Sequence, residues 1–232
     1  MSGVELRYLE HADRRLAYRG RDGASPGLLF LPGYASDMEG TKAEAIDAFA
    51  ERQGLAMLRF DYSGTGSSSG DFEQGTLDLW LEESLDVLDH LTTGPLIVIG
   101  SSMGGWIAMH LALRRPERVR ALLGIAAAPD FTDWGFATAD VAEQQGIGRH
   151  FWESGQRLRL LEDEIGIDCP VRLVHGDADE EVSIAVAHRA MNRLRSADVQ
   201  LLTIKGGGHR LSEPREIQAI LRVLAGLLEQ AE

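Results

Sequence analysis

Short, continuously apolar runs alternate along this chain with longer stretches whose apolar residues recur at helical spacing. Val4–His11 and Arg14–Gly20 alternate loosely about Ala12-Asp13 and predict an opening antiparallel hairpin. Gly27–Leu31, Leu55–Phe60, Leu96–Ile99, Val119–Ala126, Val171–Val174 and Val199–Ile204 predict further strands. Between them, Lys42–Arg52 sets Ala43, Ile46, Phe49 and Ala50 on one helical face, and Thr76–His90 does the same with Leu77, Trp80, Leu81, Leu85 and Leu88. Trp106–Arg115 and a final stretch from Glu213 to about Leu228 complete the predicted helices. Strands apolar on both sides, alternating with helices, predict an α/β fold with a mostly parallel sheet covered on both faces. The length, 232 residues, fits one domain over 1–232.

The rhythm breaks once. Residues 129–168 contain no obvious strand but carry Phe131, Trp134, Phe136, Phe151 and Trp152. So long a connection between a strand and its successor is uncommon unless it has a task. We read it as a small cap over a site, with Phe131, Trp134 and Trp152 as substrate-contacting candidates. The plainer alternative is a helical excursion whose aromatics pack on the main core.

Charge and cysteine content narrow the function. With 23 basic and 36 acidic residues the formal charge is −13, which argues against nucleic acid as a partner. No apolar run approaches the ~20 residues that span a bilayer. The single cysteine, Cys169, excludes an internal disulfide framework and reads as a small buried residue before Pro170. Met1–Glu10 shows no basic segment followed by an apolar core, so the expected location is cytoplasmic.

The chemistry centres on Gly100-Ser101-Ser102-Met103-Gly104. This Gly-x-Ser-x-Gly falls between a predicted strand and a predicted helix. A serine on so sharp a turn presents its hydroxyl at the carboxyl edge of the sheet, and glycines two before and two after it avoid a clash. The helix that follows points its N-terminus at the same spot, which suits a developing oxyanion. A serine hydroxyl is a weak nucleophile and needs a base, which in turn needs an orienting group. Of seven histidines, His209 follows Gly206-Gly207-Gly208 directly after the last predicted strand and can reach Ser102. His175 reads as a turn residue held by backbone bonds; His90, His110 and His188 lie in helical stretches, His11 is near the hairpin turn, and His150 reads as a surface residue of the cap. The acid is expected between serine and histidine in the chain. His175-Gly176-Asp177-Ala178-Asp179 supplies Asp177 and Asp179, which spacing does not separate. Two backbone donors are needed for the oxyanion; Met103 N–H and Tyr34 N–H, in the loop after the first parallel strand, are the candidates.

Taken together, Leu31-Pro32-Gly33-Tyr34, Asp61-Tyr62-Ser63-Gly64-Thr65-Gly66-Ser67, Gly100–Gly104, His175–Asp179 and Gly207-Gly208-His209 resemble the α/β-hydrolase superfamily over nearly the whole chain. The resemblance implies that the acid is the aspartate closing His-Gly-x-x-Asp, Asp179. Leu31–Tyr34 through Gly40-Thr41-Lys42, Arg59–Gly64 and Gly100–Trp106 look like the mitochondrial acyl-protein thioesterase and mycophenolic acid acyl-glucuronide esterase group and its bacterial relatives.

The function expected is a carboxylesterase-type serine hydrolase of short to medium acyl esters, with thioester or acyl-glucuronide hydrolysis as the alternative. It would need no metal or organic cofactor, and its partner would be a small ester or thioester. A cofactor-free perhydrolase and a receptor that retains the same residues are the rivals. Epoxide and haloalkane hydrolysis would need an aspartate where Ser102 stands.

Overall fold

The computed structural model describes residues 4–11 and 13–231. Ala12 of the expected hairpin turn lies outside the described residues, as do Met1, Ser2 and Gly3 of the stretch read for a leader. Eight strands form one sheet in the order β1-β2-β4-β3-β5-β6-β7-β8. The strands are β1 (Leu6–His11), β2 (Arg14–Arg21), β3 (Ala24–Leu31), β4 (Leu55–Phe60), β5 (Leu96–Ser101), β6 (Val119–Ile125), β7 (Val171–Gly176) and β8 (Val199–Ile204). β1 pairs with β2, and β2 with β4, antiparallel; every later pairing is parallel. The carboxyl ends of β3, β5, β6, β7 and β8 therefore open onto one edge, where ligands of parallel sheets bind.

The patterning failed to mark where β3 begins. Pro26 has no N–H to give to a ladder, so periodicity suggests a start at Gly27. The strand runs from Ala24, and its register against β4 shifts between Ala24 and Leu28.

Two cores lie on the two faces of the sheet. One face carries α2 (Leu77–Leu91) and α3 (Met103–Arg114), with Trp80, Leu85, Trp106 and Leu111 buried against Leu29 and Val98. The other carries α1 (Thr41–Gln53) and the C-terminal helix (Pro214–Ala231), with Ile46, Phe49, Ile220 and Leu224 against Leu28 and Ile97. Alternate residues of each inner strand feed alternate cores, which is why these strands are apolar throughout.

Local chemistry sets the helix ends. Thr76 Oγ1 accepts from Leu79 N at 3.1 Å and caps α2. Gly54 closes α1 in the left-handed conformation, φ 68°.

The segment after β6 forms three short helices, α4 (Phe131–Trp134), α5 (Ala139–Gln144) and α6 (Arg149–Arg157). Side chains staple it to the rest. The buried Asp130, φ 58°, accepts from Leu160 N (2.8 Å) and Leu161 N (2.7 Å). Leu158 O accepts from Trp106 Nε1 (3.0 Å) and lies 2.9 Å from His110 Nε2. Ser154 Oγ accepts from Leu77 N at 2.8 Å, at the start of α2. α7 (Ile184–Arg193) and α8 (Pro214–Ala231) complete the helices. Among the described residues, no helix is long and apolar enough to cross a membrane.

Candidate active site

Ser102 lies between β5 and α3 with φ 54° and ψ −120°, a backbone conformation costly for a residue bearing a Cβ. The surrounding chain holds it there. Ser102 N donates to Ile125 O (2.9 Å), and Ser102 O accepts from Gly105 N (2.9 Å) and Ala128 N (3.1 Å). The two glycines are required by space. A Cβ on Gly100 would sit 2.2 Å from Gly104 O, and one on Gly104 would sit 2.2 Å from Leu31 O. The strand-turn-helix motif thus packs backbone against backbone beneath the serine.

Ser102 Oγ is 3.0 Å from His209 Nε2, and His209 Nδ1 is 2.9 Å from Asp179 Oδ2. With the imidazole proton on Nδ1, facing the carboxylate, Nε2 is free to accept the serine proton. The Asp179 side chain is fully buried, and its other oxygen accepts from Glu181 N (3.0 Å) and Val182 N (2.8 Å). Those bonds keep the carboxylate in place without a cation beside it. His175, also buried, places Nε2 2.8 Å from Val182 O and 3.4 Å from Asp179 Oδ2, so it braces the loop that carries the acid. Asp177 points elsewhere: its Oδ1 accepts from Gly206 N at 2.5 Å, which shapes the loop leading to His209. The geometry therefore separates two aspartates that spacing did not.

A cavity of about 780 Å³ opens at Ser102, bordered by His209, Tyr34, Phe131, Trp134 and Phe136. Tyr34 packs its ring 4.9 Å from Phe151 and 5.1 Å from Phe72, and its hydroxyl reaches Gly146 O at 3.4 Å. Burial raises the phenol's pKa, so it stays protonated. Met103 is the first residue of α3, where an N–H has no partner within the helix. Among the described residues, no group of three or more His, Cys, Asp or Glu side chains is arranged to hold a metal ion.

The aromatics of the 129–168 segment divide. Phe131, Trp134 and Phe136 border the cavity, whereas Phe151 is buried 5.4 Å from the Trp80 ring, as the core-packing alternative has it. Trp152 departs from its expected place. It is half-buried against the same core cluster as Phe151, so neither of the two α6 aromatics borders the cavity. Four other histidines stay out of the cavity: His110 is buried under Leu158, and His90, His150 and His188 are exposed. Cys169 is half-buried against the core, and burial pushes its thiol up to about 11. Sequence reading missed Lys42 and Arg210, which also border the cavity. The one signal available was a cation directly after His209 in an acidic chain.

A family model described as the alpha/beta hydrolase fold matches residues 26–200. The chain belongs to the α/β-hydrolase fold family. Within it, the chain is similar to the human mitochondrial palmitoyl-protein thioesterase ABHD10, with 37% identity over 248 aligned residues covering 98% of this chain and 81% of that protein. Among solved α/β hydrolases, mouse alpha/beta hydrolase domain-containing protein 10 superposes with a TM-score of 0.93 at 34% identity, covering 99% of this chain and all of the other. A chain from Agrobacterium vitis S4 superposes with a TM-score of 0.90 at 33% identity, covering 97% and 98%.

Proposed function

We propose that this protein is a serine hydrolase of acyl esters and thioesters, working through an acyl-enzyme on Ser102. The observation that carries the reading is the Ser102–His209–Asp179 chain of contacts at 3.0 and 2.9 Å, set in the wall of an open cavity. Ser102 Oγ attacks the acyl carbonyl while His209 Nε2 takes its proton. The tetrahedral oxyanion is met by the backbone N–H groups of Tyr34 and Met103. His209 returns the proton to the leaving alcohol or thiol, and the acyl group stays on Ser102. Water then repeats the sequence, with His209 as base, and frees the acid. Asp179 fixes the Nδ1–H tautomer and stabilises the imidazolium as it forms.

The 129–168 segment is the cap of this site, and its Phe131, Trp134 and Phe136 form the acyl wall. Such a wall suits short to medium chains. The thioesterase name of the relatives favours a second reading, hydrolysis of long-chain protein thioesters. A cytoplasmic location is part of this proposal, and the mitochondrial description of those relatives is its rival; cell fractionation of the tagged native chain separates the two.

The test is a matched series of oxygen esters and thioesters from acetyl to palmitoyl, with a fluorophosphonate probe. Wild-type protein should hydrolyse the series and carry the label on Ser102. Ser102→Ala should lose label and lose roughly 10⁴-fold or more in kcat. Labelling of another residue, or near-normal kcat in folded Ser102→Ala, overturns the mechanism. A kcat/KM that climbs to palmitoyl thioesters replaces the first substrate reading with the second.

A further inference from the structure

Two cationic residues, one half-buried and one exposed, border the cavity, and the mechanism above uses neither. Lys42 is the second residue of α1, and Arg210 follows His209 in the loop between β8 and α8. Both border the cavity with Ser102. The Lys42 ammonium donates to the Arg210 carbonyl oxygen, so the start of α1 and the histidine loop are tied together. Arginines elsewhere in this acidic chain are commonly neutralised: Arg21 pairs with Asp47, Arg115 with Asp89 and Arg195 with Asp168. Among the described residues, neither Lys42 nor Arg210 forms an ion pair. Burial, and then the Arg210 charge, hold the Lys42 ammonium below its ordinary range, while the Glu216 charge draws it upward by less. Glu216 itself is engaged, accepting from Glu213 N at 3.0 Å. Asp37 and Glu181 also border the cavity, but neither is within ion-pair reach of the two cations. Asp37 accepts from Glu39 N, and Glu181 lies 3.8 Å from His209 Nε2.

The two sides of the cavity therefore differ in chemistry. Phe131, Trp134 and Phe136 come from the segment that packs over α2 and α3, whereas Lys42 and Arg210 come from elements of the opposite sheet face. Leaving two like charges beside each other, one of them half-buried, costs free energy that an anion between them would recover. The first turn of α1 borders the same side of the cavity through Gly40, Thr41 and Ala43, and Glu44 in that turn offsets part of the positive potential of the helix end.

We propose that Lys42 and Arg210 form a subsite for an oxyanion, a carboxylate or a phosphate, carried on the alcohol or thiol half of the substrate. The proposal rests on the ester-hydrolase reading above. The acyl half takes the aromatic side; the leaving group lies toward the cations. Substrates with a charged leaving group are then bound in preference to neutral isosteres, and the departing anion stays close to His209, its proton donor.

Three aryl acetates test this: 4-acetoxybenzoate, 4-acetoxyphenyl phosphate and the neutral 4-acetoxybenzamide. The quantity read is the ratio of kcat/KM for each anionic ester to that for the amide, which cancels general damage to catalysis within any one variant. In the wild type at low salt, at least one anionic ester should exceed the amide about tenfold. Whichever of the two does so names the anion. In Lys42→Met and in Arg210→Gln, the ratio should fall toward one. A wild-type ratio near one, or a high ratio that survives in both variants, overturns the subsite. Two substitutions on separate elements keep the test alive should one variant fail to fold. Failure of the hydrolase reading looks different, because none of the three esters would then turn over.

Discussion

The turn at Ser102 and the α4–α6 segment border the same cavity but are held there by different forces. The turn is fixed by backbone: a strained serine, three main-chain bonds and glycines that admit no Cβ. The segment is fixed by side chains: Asp130 on Leu160 and Leu161, Trp106 and His110 on Leu158, and an aromatic cluster around Phe151. A device made of backbone tolerates few residue types and recurs as a motif. A device made of side-chain packing admits many solutions and leaves little trace in spacing. On the proposed function, chemistry is lodged in the first region and selectivity in the second.

The largest expected effect separates the two aspartates next to the first region. Asp179→Asn should keep the fold and lower kcat by about 10³–10⁴, because the amide favours the wrong imidazole tautomer. Asp177→Asn should change kcat only a few-fold, since Asp177 touches Gly206 N and not the imidazole. Steady-state kinetics on both variants decide it, and the reverse ranking would remove Asp179 from its assigned role. The backbone account itself is tested by Gly104→Ala. A methyl placed 2.2 Å from Leu31 O forces β3 and α3 apart and should cost about 3 kcal/mol or more in urea unfolding. A mild change there would mean that the turn can relax, and the contrast between the regions would weaken.

The sequence showed the two regions unequally for the same reason. Gly100 and Gly104 were legible because neither position has room for a Cβ, Ser102 and His209 because each follows a strand at the same sheet edge, and the alternation of apolar runs gave the parallel sheet. Asp179 needed the family resemblance, since two carboxylates two residues apart project from one loop. The split of the aromatics, with Phe131 on the cavity and Trp152 off it, depends on helix phase within pieces of four to nine residues. Periodicity over so few residues does not define a face. Lys42 and Arg210 converge from opposite ends of the chain, which no local pattern reports.

An intermediate effect comes from pH at the tether between the two regions. His110, on α3, is buried beneath Leu158 O, the far end of the segment. Burial, with a smaller contribution from Arg114, lowers its pKa to about 4 against the opposing Leu158 carbonyl and Asp78. The unfolded chain therefore binds the proton first. Stability from this group is complete above the ordinary histidine value near 6.5, declines as pH falls, and is lost by about pH 4. The shift corresponds to about 3 kcal/mol. Urea unfolding of wild type at pH 7 and pH 4.5 should show this decline, and His110→Gln, which keeps a donor for Leu158 O, should show a shallower one. Equal slopes would mean that the tether does not sense pH.

The smallest effect sharpens the selectivity side. Phe131 borders the cavity and also leans on Trp106, Phe136 and Phe151, with ring centres 5.7–6.4 Å away. Aromatic rings make stiff walls because they have few rotamers to lose. Each methylene of an acyl chain gains up to ~0.8 kcal/mol while it is still buried, and nothing once it protrudes. Activity should therefore rise with chain length, reach an optimum and fall. Phe131→Ala opens space at the wall without touching Ser102, His209 or Asp179. Its optimum should move to longer chains by two to four carbons, as a rough conversion of ring volume to methylenes, with kcat/KM for the original best substrate down about tenfold. Trp152→Ala, off the cavity wall, should destabilise the protein while leaving the optimum where it was. If both variants shift the optimum alike, loosening of the whole segment rather than the local wall sets chain length. A wild type with no optimum up to palmitoyl would mean that the wall does not end the acyl site at all.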